Sequence, residues 1–239
     1  MEKKSTLIEI SKEDLKAATV LYENRLFPQS LFFFQQSIEK LSKHLGISNE
    51  IIEPGKLQSE INHKSLLIFS KLAKKTGELV GDSELNIDND YQKIINLHKT
   101  APLSELLPVV KKTIEYYKNL PLPENIEAIV LKIRDFKNNN KGSEKLIDTT
   151  LNNYSRFKLE ELYRQMPMYI SATMTLFMLS PIFSDLVSKV RYPIGTDFIN
   201  PSSIYNLNHE LIEYLPYFMD CQEFNIKSIN TFQKSTGMI

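Results

Sequence analysis

Apolar residues recur at steps of three and four along most of this chain. Leu31, Phe34, Ile38, Leu41 and Leu45 form the clearest series and draw one stripe on a helix. Gln35, Gln36, Glu39, Lys40 and Lys43 fill the other face, and Gly46 stands where a left-handed residue ends a helix. Upstream, Leu15, Ala18 and Tyr22, with Leu21, predict a helix that starts after Ser11 and ends before Pro28. Ser11-Lys12-Glu13-Asp14 is similar to a capping box, with an acid three residues after the cap. A loop with Pro54 and Gly55 follows. A third helix is predicted from near Asn62 or His63, using Leu66, Phe69 and Leu72.

The middle of the chain continues the pattern. Tyr91, Ile94, Ile95 and His98 suggest a short helix, and Leu107, Val110, Ile114 and Tyr117 another, broken by Pro121 and Pro123. Ile126, Ile129, Ile133 and Phe136 predict a third, and Ile147, Leu151, Tyr154 and Leu162 a fourth. Between Arg164 and Asp185 there is no charge, so a membrane span has to be weighed. Gln165, Pro167, Ser171, Thr173, Thr175, Ser180 and Pro181 dilute that stretch, and a buried core helix is expected instead. Helix breaks at Arg191-Tyr192-Pro193-Ile194-Gly195, and a last helix is predicted from about Ser203, bent at Pro216. Strand alternation is nearly absent. The expected fold is all-α, an up-and-down helical bundle.

Composition narrows the chemistry. The 239 residues can bury a sizeable core, and the formal net charge is zero, so no strongly basic field exists to hold nucleic acid non-specifically. The single cysteine, Cys221, cannot form an internal disulfide, which agrees with a reduced, cytoplasmic setting. The start Met-Glu-Lys-Lys leads into a charged helix rather than a secretory apolar region. His44, His63, His98 and His209 lack metal-ligand spacing, and no glycine pair has phosphate-cradling spacing, so neither metal nor cofactor is expected.

Three stretches together resemble one family. Asp14-Leu15-Lys16-Ala17-Ala18, through Phe27 to Gln35-Gln36-Ser37-Ile38-Glu39-Lys40-Leu41-Ser42-Lys43, resembles the first helix pair of the HEPN domain (higher eukaryotes and prokaryotes nucleotide-binding). His63-Lys64-Ser65-Leu66 is similar to a His that opens that family's third helix, and Arg191-Tyr192-Pro193 is similar to an Arg-Tyr-Pro after a later helix. The resemblance implies a single helical domain over 1–239, with a HEPN-like core at about 11–75 plus 168–232 and a helical insertion at about 78–165. It also implies a tendency to dimerise, nucleotide or RNA recognition, and a place beside a nucleotidyltransferase or in toxin–antitoxin and defence systems. The family's RNA-cleaving members carry an Arg followed four to six residues later by His. Here Arg191 has no such His, and the next is His209.

Each candidate residue has a plain reading and a sharp one. Glu39 and Lys43 at i and i+4 form a surface ion pair in the plain reading. In the sharp one, Gln36, Lys40 and Lys43 make a strip that holds phosphate or an acidic partner. His63 either opens a helix or binds a ligand. Arg191 either caps its helix or grips a phosphate with its planar fork. The expected function is a non-catalytic HEPN-like binding or assembly module for a nucleotide, RNA or partner protein. Its candidate ligand-binding residues are Arg191, Lys40, Lys43, His63 and Gln36. The chain is expected to be a homodimer, to keep clear of membranes and to take a nucleotidyltransferase-type protein partner. The alternatives are a divergent metal-independent ribonuclease, in which Arg191 works with His209 or His63, and a purely structural helical adaptor.

Overall fold

Among the described residues of this computed structural model every regular element is helical, as the three-four periodicity demands. The structure describes residues 2–61, 66–80, 93, 96, 102–119, 156–184, 186–193 and 197–236. In chain order the helices are α1 (Glu2–Glu23), α2 (Phe27–Ser48), α3 (Leu66–Val80), α4 (Leu103–Lys118), α5 (Arg156–Phe183), α6 (Leu186–Arg191), α7 (Pro201–Ile204) and α8 (Glu210–Thr236). A 3-10 turn at Pro54–Lys56 and a π turn at Leu57–Ile61 link α2 to α3. The helices expected around Tyr91–His98, Ile126–Phe136 and Ile147–Tyr154 lie outside the described residues, apart from Lys93 and Asn96, which are helical.

α1 and α2 form an antiparallel hairpin across a three-residue turn, in which Arg25 takes a left-handed φ of 59°. Pro28 sits in the first turn of α2, where its missing N–H costs nothing. Small residues line the seam. Ser30 donates to the Ala18 carbonyl at 2.7 Å, and Ser11 donates to the Ser37 carbonyl at 2.9 Å. The latter bond corrects the expected helix start. Ser11 is buried inside α1 and spends its hydroxyl on α2, not on its own helix's first N–H groups.

Gly46 is also corrected. It lies inside α2, and a Cβ there would meet Ile68 Cγ2 at 3.1 Å, so its smallness permits α3 to approach. Asn49 caps α2, and the left-handed residue after it is Glu50, with φ 56°. The last helix starts at Glu210 rather than Ser203, because a separate short helix, α7, and a turn come first. The third helix is described from Leu66, and residues 62–65, His63 among them, lie outside the described residues.

α2 runs through the middle, touching α1, α3, α5, α6, α7 and α8. Its stripe Leu31, Phe34, Ile38, Leu41 and Leu45 is fully buried. Phe34 packs edge-on against Phe183 of α5 at 4.8 Å, and Phe183 against Phe218 of α8 at 5.4 Å, so three helices meet at one aromatic cluster. α4 packs on α5, and its Leu107, Val110 and Ile114 join the same core. The stretch Tyr163–Phe183 is long and apolar enough to cross a membrane, by length and composition, and half of it is buried inside this bundle.

Candidate functional site, a polar strip on α2 beside Arg191

The strip begins with residues that the helical period assigns to the solvent side of α2. All five of them, Gln35, Gln36, Glu39, Lys40 and Lys43, join in one hydrogen-bonded chain. Lys40 Nζ donates to Gln36 Oε1 at 2.8 Å, and Gln36 Nε2 donates to Gln35 Oε1 at 2.7 Å. Gln35 Nε2 donates to Glu39 Oε2 at 3.3 Å, and Lys43 Nζ donates to Glu39 Oε1 at 2.6 Å. The plain reading of Glu39–Lys43 as a surface pair is overturned. The side chains are 1 % and 12 % exposed, because α2 is wrapped on most sides. Gln35 is buried as well.

Electrostatics follow from that burial. Desolvation pushes the Glu39 carboxyl upward most strongly of any single influence. The hydrogen bond and charge of Lys43, the charge of Lys40 and the Gln35 bond together outweigh it, so the acid sits below its ordinary range. Asp14, half-buried on α1, goes the other way. Burial raises it, Lys40 opposes, and Glu13 and Glu39 add to the rise. An ionised Glu39 thus orients Lys43, while Lys40 stands within the field of both acids.

Arg191 is the last residue of α6, and its guanidinium lies 5.1 Å from the ring centre of Phe32 on α2 and 5.5 Å from that of Tyr192. Phe32 is one helical turn before Gln36, and Lys40 one turn after. The fold therefore brings Arg191 onto Phe32, one turn from Gln36, from a position far away in sequence. His63 lies outside the described residues. His209 has a structural task. Its Nδ1 accepts the Leu211 N–H at 3.1 Å at the start of α8, burial lowers its pKa, and Glu210 opposes that.

Sequence reasoning missed three contributors. Asp14 was read as the acid of a capping box and Gln35 as a solvent-face residue, both also parts of the family pattern, and Phe32 stood as one of three consecutive phenylalanines. The i, i+4 spacing Phe32-Gln36-Lys40 was the signal that could have joined them. Among the described residues no group of His, Cys, Asp and Glu could hold a metal ion.

Among the described residues, these features define a helical bundle that carries a hydrogen-bonded polar strip on its central helix. The HEPN domain model matches residues 5–84, which include both helices of the α1–α2 hairpin and the whole polar strip. Over those residues the chain is similar to the HEPN domain, an all-helical family. No curated protein and no solved structure matches the chain.

Proposed function

We propose that this chain is a non-catalytic HEPN-like module that binds the phosphate of a nucleotide or RNA along α2. Lys40 and Lys43 supply point charges, Gln36 orients Lys40, and Arg191 supplies a planar fork. The observation that carries the reading is Arg191 over Phe32, one turn from Gln36 on the strip. An aromatic ring with a cation above it is also the kind of surface on which a nucleobase stacks. A partner with nucleotidyltransferase chemistry, in a defence or toxin–antitoxin setting, fits the same reading.

Titration calorimetry with adenosine triphosphate and with a short single-stranded RNA tests it. Binding that weakens in Arg191→Ala and Lys40→Ala, and falls with salt, is the expected result. No heat with either probe from a folded wild type would end the reading. In parallel, neither wild type nor Arg191→Ala should cleave transfer RNA. Cleavage by the wild type alone would replace the binding module with the ribonuclease.

A further inference from the structure

α5 and α8 lie antiparallel, fastened at two levels by aromatic pairs. Phe183 meets Phe218 with ring centres 5.4 Å apart, and Tyr169 stacks on Phe232 at 4.2 Å. Phe218, Asn225 and Phe232 follow one another at two-turn spacing, so they share one face of α8. Asn225 therefore stands on the face toward α5, midway between the two aromatic contacts. The same step along α5, taken from Tyr169 or back from Phe183, ends at Leu176, next to Thr175. Ser171 lies one turn before Thr175 on the same side. Rings space the two helices at both levels, while Ser171, Ala172 and Thr175 between them are small. All three, with Asn225, are fully buried.

A line of buried hydrogen bonds crosses the bundle and stops at this point. It starts on α1, where Ser11 Oγ lies 3.1 Å from Ser37 Oγ of α2. Gln222 Nε2 of α8 donates to that Ser37 oxygen at 3.1 Å, and Asn225 Nδ2 donates to Gln222 Oε1 at 3.4 Å. The loose end is Asn225 Oδ1, which has no hydrogen-bond partner among the described residues. Across the seam, the Ser171 and Thr175 hydroxyls have none either. Other hydroxyls of α5 differ. Thr173 donates to the Tyr169 carbonyl at 2.9 Å and Ser180 to the Leu176 carbonyl at 2.8 Å, each satisfied within its own helix. A buried polar atom without a partner costs stability, and protein interiors meet that cost with bound water.

The three orphaned atoms set the chemistry of what joins them. The Asn225 oxygen only accepts, so the occupant has to donate to it. The two hydroxyls donate and accept, so an occupant that does both satisfies each of them. All three groups are neutral, which gives an ion no counter-charge here. The occupant also has to be small enough to sit between two packed helices. We propose that the α5–α8 seam binds internal water that bridges Asn225 Oδ1 to the hydroxyls of Thr175 and Ser171. A buried water makes about three such bonds. This one carries the line from Ser11 and Ser37, through Gln222 and Asn225, into α5. It thereby ties the α1–α2 hairpin to both long helices that pack on it.

A crystal of the full wild-type chain tests this directly. Density for a water within hydrogen-bonding distance of both Asn225 Oδ1 and Thr175 Oγ1 is the expected result. A dry seam, or a direct bond between the two side chains, would overturn the proposal. Thr175→Val, which keeps the shape and removes the hydroxyl, gives a second test by denaturant unfolding. If the hydroxyl is a dry orphan, its removal leaves the midpoint unchanged or raises it. If it holds water, the midpoint should fall, because the water and Asn225 lose a partner. Oxygen-17 relaxation dispersion of the same two proteins should count fewer long-lived waters in the variant. A midpoint that holds or rises, or an equal count of waters, would also overturn the proposal. Nucleotide binding enters none of these readouts, so they are independent of the strip on α2.

Discussion

The Lys43 ammonium donates at 2.6 Å to a Glu39 carboxylate whose side chain is 1 % exposed. A buried charge is fragile when its nearest counter-ion goes. Lys43→Met should lower stability by about 3 kcal/mol, because it removes the nearest cation from a buried carboxylate and leaves it with weaker partners such as Gln35. The double change with Glu39→Gln should cost less than the sum of the two singles. Denaturant unfolding of the four proteins measures both.

The same pair sets an acid limb. The Glu39 carboxyl is lowered in the folded protein from its ordinary value of 4.5, through Lys43, Lys40 and Gln35 acting against burial. Its stabilisation is therefore fully present above that value and is lost as pH falls through the lowered one. Stability curves from neutral pH to below 4.5 should show a shallower acid decline in Glu39→Gln than in wild type. An unchanged slope would refute the assignment.

Gln233 bridges α8 to α2. Its Oε1 lies 2.5 Å from His44 Nε2, and its Nε2 donates to Ser48 Oγ at 2.6 Å. A carbonyl oxygen only accepts, so the imidazole Nε2–H is the donor. Gln233→Ala removes a partner from two buried groups at once. It should lower stability by about 1–3 kcal/mol, read as a fall in the denaturant midpoint.

Gly46→Ala sets two effects in opposition. In an exposed helix the change gains about 1 kcal/mol of propensity. Here the new methyl would stand 3.1 Å from Cγ2 of Ile68, which is fully buried and has little room to give. The net effect should be destabilising, seen as a lower melting temperature; a rise would show that α3 yields easily.

Cys221 should be inert in the native state. It is buried, and desolvation pushes its thiol up to about 11, with Tyr217 and two lysines opposing only in part. A thiol reagent at neutral pH should label it at the rate of unfolding, whereas prompt labelling of native protein would place the thiol in contact with solvent.

How far the pattern carried can be seen on α2. All five members of the Leu31–Leu45 stripe are buried, as their spacing required. The opposite face was misread for Gln35 and Glu39, which are buried too. Periodicity locates the most apolar side of a helix, but it does not count the neighbours that surround it. Ser11 failed for a related reason. A serine followed by acids looks like a cap locally, and only the presence of Ser37 across the hairpin gives its hydroxyl a better partner.

By itself the sequence determined the helical character, the buried stripe of α2 and a family pattern over the first helix pair. These depend on residues three to four positions apart, whose relation the helix itself dictates. The tertiary structure alone decided that Glu39 is an enclosed anion and that Arg191 stands over Phe32. Both depend on elements distant in the chain, and desolvation and cation–ring contact exist only once those elements pack.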